Sequence, residues 1–241
     1  MSFLTGLDDT PSDYPFPDAE KALADPDGLL AAGGCLSIQR LLNAYQHGIF
    51  PWYSKNDPIL WWSPSERAVI HPNDLYINRS LRKFLKKHPY QVTLNTAFEN
   101  VIQACATIPR SPGNGTWITA EMIAAYIALH YAGHAHSVEV WHNQRLVGGL
   151  YGVLVGQTFC GESMFSTQTN ASKVALIALR DHLTPAGLAL IDCQIENPHL
   201  SNMGAVTLNR ADFIRHLAAN SNLISPVFLQ TTELSVLDIG N

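Results

Sequence analysis

Between Ser137 and Met164 the chain runs through three apolar stretches in quick succession, Ser137–Trp141, Leu146–Val155 and Gln157–Met164, parted by very short turns. Strands joined this tightly lie antiparallel, because a parallel neighbour needs a crossover of roughly a dozen residues or more. His142, Asn143 and Gln144 at the first turn, and Gly156 and Gln157 at the second, suit tight hairpins. A helix then reads from about Asn170 to His182, stopped by Pro185 and Gly187. After it the run Leu188–Ile191 is short, apolar and glycine-flanked, the pattern of a buried strand. Three hairpin strands, a helix and a buried strand predict an α/β fold, of the α+β mixed-sheet kind.

The rest of the chain is less regular. Ser37 caps a helix whose apolar stripe is Ile38, Leu41, Leu42 and Tyr45 and which Gly48 ends. The other residues of the first third read as loops rich in Pro, Gly and Trp, and Phe50–Pro64 reads as too irregular for regular structure. Asn78–Lys87 looks helical, and Thr119 caps a second helix running to Gly133 with Met122, Tyr126 and Leu129 on one face. A domain boundary is expected near residues 65–75, giving a small N-terminal domain, 1–68, and a larger one, 69–241.

Composition excludes several classes. At 46% hydrophobic and 15% charged over 241 residues the chain is of ordinary globular type. Met1–Glu20 has neither a basic region nor an apolar core, so no signal peptide is expected, and no apolar stretch is long enough to span a bilayer. Cys35, Cys105, Cys160 and Cys193 are scattered, which favours reduced thiols over a zinc site or a disulfide framework. A cytoplasmic protein is expected, without membrane association. The net charge of −5 does not advertise a nucleic-acid binder, yet five of the fifteen Lys and Arg residues fall between Arg79 and Lys87. On a helix Arg79, Arg82, Lys83, Lys86 and Lys87 recur at three and four residues and share one stripe. Such a stripe is either a solvated face or a contact for phosphates.

Two segments put polar groups where a core is expected. On an extended strand Asp192 and Gln194 share one face, while Ile191, Cys193 and Ile195 take the other. Either the pair is a structural hydrogen-bonding unit or it faces a ligand near the strand's C-terminal end. In Phe159–Phe165 the same alternation sets Glu162 between Cys160 and Met164, so the acid is salt-bridged to an arginine or binds something. His134, His136 and His142 match no metal-ligand spacing and are expected to be exposed or capping; no metal is expected. Cys160 and Cys193 sit in apolar strands, where thiols are inert. Gly148, Gly149 and Gly152 lie inside a strand, not in a strand-to-helix loop, and do not form a phosphate cradle.

An ordered set of strings then carries a resemblance: Gly28–Gly34, Gly48–Ser54, Trp61–Pro64, Gly115–Thr119, Gly133–Trp141, Leu146–Gly152, Phe159–Ser166, Asn170–Lys173 and Leu190–Gln194. Together they resemble leucyl/phenylalanyl-tRNA–protein transferases, from about residue 14 to residue 215. Asn202 and Met203 depart from the more usual Ser-Leu, and the tail after about residue 222 matches nothing in the family.

The resemblance implies a small N-terminal domain and a GNAT-like acyltransferase C-terminal domain, whose core has the strand order read above. It implies transfer of Leu or Phe, less readily Met, from aminoacyl-tRNA to proteins beginning with Lys or Arg, which marks them for N-end-rule degradation. A monomer without a cofactor is expected. Asp192 and Gln194 match the catalytic pair, Gln194 orienting the attacking amine and Asp192 fixing the amide. Glu162 would hold an ammonium, of donor or acceptor. Trp52 and Trp117 resemble aromatics that stack on the terminal adenosine, and Phe159 and Met164 would wall the side-chain pocket. Ser172 and Asn197 complete the substrate contacts, and the Arg79–Lys87 stripe would bind tRNA. A conventional acetyltransferase using acetyl-coenzyme A is the first rival, although Thr167–Asn170 is a poor pyrophosphate loop. A non-catalytic RNA-binding module is the second.

Overall fold

The structure is a computed structural model, and it describes residues 4–8, 15–87, 89–108, 117–222, 224 and 229–234. The strands are β1 (Thr5–Leu7), β2 (Leu29–Gly33), β3 (Phe50–Pro51), β4 (Leu60–Trp62), β5 (Glu66–Ile70), β6 (Gln91–Leu94), β7 (Ala135–His142), β8 (Arg145–Val155), β9 (Thr158–Ser166), β10 (Leu190–Gln194), β11 (Val206–Asn209) and β12 (Thr232–Leu234). The helices are α1 (Ile38–Gln46), α2 (Arg79–Leu85), α3 (Phe98–Thr107), α4 (Ala120–Tyr131), α5 (Ala171–Leu183), α6 (Pro198–Ser201) and α7 (Arg210–Ala219).

The hairpin strands form as the sequence predicts. β7, β8 and β9 run antiparallel, α5 crosses over, and β10 lies parallel to β9. They are the middle of an eight-stranded mixed sheet ordered β11-β5-β10-β9-β8-β7-β6-β12. Phe50–Pro64 departs from the expectation. It holds β3 and β4, which join β1 and β2 in a four-stranded sheet ordered β1-β2-β4-β3. Pro51 lies in β3, and Pro58 and Pro64 flank β4, so these strands stay too short to show a period in the sequence.

Among the described residues five α-helix starts are fixed by side-chain caps: Ser37 accepts from Arg40 N, Asn78 from Leu81 N, Thr119 from Met122 N, Asn197 from Leu200 N and Asn209 from Asp212 N. The large sheet has apolar packing on both faces. One cluster joins α2 and α5 to Leu150 and Phe159; the other joins α1, α3 and α4 to Tyr151 and Cys160. α5 approaches the sheet closely because Gly148 has no side chain: a Cβ there would lie 2.5 Å from that of Ala171. In the same strand a Cβ on Gly152 would lie 2.3 Å from the Cys160 carbonyl oxygen. Among the described residues no helix is long and apolar enough to cross a membrane.

Candidate active site

The parallel strands β9 and β10 pair only from Leu190 opposite Thr158 to Asp192 opposite Cys160. Beyond that point they part, and a cavity of about 230 Å³ opens at their C-terminal ends. Ligands favour this end of a sheet because side chains and backbone groups converge there without a neighbouring strand to occupy them. Leu150, Phe159, Met164, Leu176, Ile191 and Leu200 give the cavity its apolar wall, and Glu162, Asp192, Gln194, Asn197 and His199 its polar one.

Both strands break their alternation at the cavity. The register of β8 against β9 slips between the pairs Tyr151–Ser163 and Gly152–Gly161, leaving Glu162 as the extra residue. The expectation that Cys160, Glu162 and Met164 share a face is therefore corrected. Phe165 joins the cluster that holds Cys160, and Met164 packs with the cluster that holds Phe159. β10 likewise slips between Asp192 and Gln194, and Gln194 takes φ of 63°, a left-handed conformation uncommon outside glycine. That turn, not strand alternation, brings Gln194 beside Asp192.

Asp192 is fully buried and answered by Arg67 of β5, itself 2% exposed. Arg67 Nε donates to Asp192 Oδ1 at 2.8 Å and Nη2 to Oδ2 at 2.7 Å, a bidentate pair. Its third donor, Nη1, reaches Gly48 O at 3.0 Å, and the guanidinium lies over the rings of Phe50 and Phe213. Asp192 Oδ1 also accepts the Gln194 backbone N–H at 2.8 Å, which holds the left-handed turn. Asp192 thus fixes the backbone of Gln194 rather than its side-chain amide.

That amide belongs to Glu162. Gln194 Nε2 donates to Glu162 Oε1 at 2.6 Å, and Tyr126 OH donates to Oε2 at 2.9 Å. The Tyr126 hydroxyl in turn hydrogen-bonds that of Tyr45. Glu162 is not the partner of the buried arginine; two neutral donors hold it, with the Tyr45 hydroxyl behind one of them. Burial pushes its carboxyl up to about 7, against the opposing pull of the Tyr45 and Tyr126 hydroxyls and the Gln194 amide. With Nε2 committed, Gln194 Oε1 has no protein donor among the described residues and is left to accept from a ligand.

Of the residues singled out in the sequence, Phe159, Glu162, Met164, Asp192, Gln194 and Asn197 all line this cavity. Ser172, 9% exposed in the first turn of α5, does not. Nor do the tryptophans: Trp52 is 42% exposed with its ring tilted against Trp62, and Trp117 packs beside the cluster of α1 and α4. The basic stripe is exposed, and Arg82 Nε also donates to Ile77 O. Lys86 is the C-cap of α2 and Lys87 follows in a turn.

The histidine expectation is corrected at His136, which is 4% exposed and bonded through Nδ1 to Asn95. Burial lowers its pKa to about 4. Burial raises the Cys160 and Cys193 thiols, so neither is a ready nucleophile. Arg67, Tyr45 and Tyr126 were not singled out in the sequence. A signal for Arg67 was present: a lone cation beside Ala68, Val69 and Ile70 is rarely buried without a carboxylate.

Comparison with known proteins bears on what meets this cavity. A family model described as leucyl/phenylalanyl-tRNA protein transferase matches residues 69–218, and one for that family's N-terminal domain matches residues 34–65. The chain is 54% identical over 220 residues to a leucyl/phenylalanyl-tRNA–protein transferase of Shewanella baltica strain OS155, covering 91% of this chain and 92% of the relative. It is 57% identical over 202 residues to that of Shewanella woodyi, covering 84% and 85%. Among solved structures, a GCN5-related N-acetyltransferase from Kribbella flavida is similar over 67% of this chain and 57% of its own, at 9% identity and a TM-score of 0.35.

Proposed function

Because the chain belongs to the leucyl/phenylalanyl-tRNA–protein transferase family, we propose that the cavity between β9 and β10 is where an aminoacyl ester meets a protein's N-terminal amine. The donors are leucyl- and phenylalanyl-tRNA, with methionyl-tRNA used less readily. The acceptors are proteins beginning with Lys or Arg, and the added residue marks them for N-end-rule degradation. The enzyme works as a cytoplasmic monomer, and no cofactor is invoked.

The observation that carries this reading is the Gln194–Glu162 pair, which faces an apolar wall across the cavity. The acceptor's amine nitrogen attacks the ester carbonyl carbon, the bond from that carbon to the ribose oxygen breaks, and the ribose oxygen takes up the proton the amine gives up. An α-amine has an ordinary pKa of ~7.7–8.0, so much of it is neutral near pH 7 and no strong base is needed. Gln194 Oε1 accepts an N–H of that amine and aims its lone pair. Holding the two reactants in line supplies several kcal/mol toward the barrier. Glu162, ionising near neutrality, receives an ammonium of donor or acceptor. Asp192 and Arg67 keep the Gln194 turn in place.

Phe159 and Met164 take the Leu or Phe side chain, and Asn197 and Ser172 complete the substrate contacts. Trp52 and Trp117 stack on the terminal adenosine, a contact of ~1–3 kcal/mol per base. Arg79, Arg82, Lys83, Lys86 and Lys87 meet tRNA phosphates. The purified protein mixed with leucyl-tRNA and a Lys-initiated peptide should yield the Leu-extended peptide. A peptide left unextended by leucyl-tRNA but acetylated by acetyl-coenzyme A would mark a conventional acetyltransferase. tRNA binding without any transfer would mark an RNA-binding module.

A further inference from the structure

Among the described residues Glu162 is hydrogen-bonded by uncharged donors, the Tyr126 hydroxyl and the Gln194 amide, because the Arg67 guanidinium is spent on Asp192 and Gly48. Behind it, away from the cavity lining, stand two phenols on two helices: Tyr126 of α4, fully buried, and Tyr45 of α1, 1% exposed. On their helix stripes phenylalanine would pack as well, so the hydroxyls call for a separate reason. Ionised Glu162 has no proton to give, so Tyr126 donates to it and accepts from Tyr45. The order of donors is fixed: Tyr45 to Tyr126, Tyr126 to Glu162 Oε2, and Gln194 Nε2 to Glu162 Oε1.

We propose that Tyr126, and Tyr45 through it, are positioning residues for the transfer. They lock the Glu162 carboxylate so that Oε1 faces Gln194 Nε2, and the Gln194 carbonyl oxygen stays turned to the incoming amine. The inference rests on the assignment of transfer to Gln194 and Glu162. A carboxylate with one oxygen released could rotate, and the amide bonded to it would rotate as well. Both phenols are raised well above their ordinary pKa, by burial and then by the Glu162 charge, so they remain donors at working pH.

The groups that set the ionisation of Glu162 come from several elements. Tyr45 faces it from α1 and Tyr126 from α4, with Tyr151 of β8 acting on Tyr126; Cys160 lies on its own strand, Asp192 on β10 and Arg67 on β5. His199 of α6 shares the cavity wall. The two phenols and the Gln194 amide pull the carboxyl down, and Asp192 pushes it up.

Tyr126→Phe and Tyr45→Phe keep the rings and remove only the hydroxyls. For Tyr126→Phe, kcat at neutral pH should fall on the order of tenfold, the loss of one hydrogen bond to a charged group. The acid limb of the kcat/KM profile should move up by roughly one pH unit, since a donor that favoured the ionised form is gone. The tRNA Kd should stay unchanged. Tyr45→Phe should act in the same direction but less, and it should add little in the Tyr126→Phe background, because its effect runs through Tyr126. An unmoved acid limb, with normal kcat in a merely less stable Tyr126→Phe protein, overturns the proposal. So does a Tyr45→Phe loss that is undiminished in that background. Gln194→Ala and Glu162→Gln are measured alongside: if both transfer normally, the assignment of the site has failed, whatever the tyrosines do.

Discussion

A carboxyl that titrates at about 7 instead of its ordinary 4.5 couples stability to pH. Between those values folded Glu162 keeps its proton while the unfolded chain gives it up. Its contribution to stability is therefore full below pH 4.5 and is lost as pH rises through 7. The loss is on the order of 3 kcal/mol. Glu162→Gln, which cannot ionise, should gain stability over the wild type at mildly alkaline pH but not at mildly acidic pH, by urea denaturation. An equal difference at both ends would show that Glu162 is not a desolvated acid. Arg67 is the second residue whose surroundings dictate a number. Arg67→Met strands Asp192 without its partner and should cost about 3–5 kcal/mol, much of it regained in Arg67→Met with Asp192→Leu. If the double variant is no more stable than the single one, the pair is not what Asp192 depends on. Met164 allows a volume argument. Met164→Ala removes part of the apolar wall, so leucyl-tRNA should lose efficiency by ~1–3 kcal/mol while a bulkier Trp donor gains relative to it. An unchanged Leu-to-Trp ratio of kcat/KM in a stable variant removes Met164 from the pocket.

At the scale of elements, α2 carries a charge pattern with no acid inside it, and its outward residues are exposed. Replacing Lys83, Lys86 and Lys87 with Ala should weaken tRNA binding and flatten its salt dependence by about one unit of slope per lost phosphate contact. Transfer from a minimal aminoacyl-adenosine, which lacks those phosphates, should be spared; equal loss with both donors would dissociate the stripe from tRNA. The elements that were legible in the sequence are those with a local signature: the capped helices at Ser37 and Thr119, the helix that begins after Asn78, and long strands joined by hairpins. β5, β6 and β11 were not, because each is four or five residues long and gains its order from a partner distant in the chain. The site divides the same way. Glu162, Asp192 and Gln194 stood out as polar groups in apolar strands. The register slips that turn them toward one cavity leave no local trace, and neither does the pairing of Asp192 with Arg67, 125 positions away.

At the scale of the molecule, the segment from α1 to β3 reaches the site from behind. Tyr45 bonds Tyr126, Gly48 accepts from Arg67 and Phe50 lies against the same guanidinium. The α1–β3 segment and the large sheet thus meet on two buried supports, one under Glu162 and one under Asp192. One support holds the backbone N–H of Gln194 and the other its side-chain amide, and the proposed transfer chemistry stands or falls at this residue. The measurement is single-turnover transfer from prebound leucyl-tRNA to a Lys-initiated peptide, wild type against Gln194→Ala, with tRNA affinity measured in parallel. The rate should fall on the order of a hundredfold at unchanged tRNA affinity, since the amide acts on the attacking amine and not on the donor's nucleic acid. A Gln194→Ala enzyme that transfers leucine at the wild-type rate would contradict it.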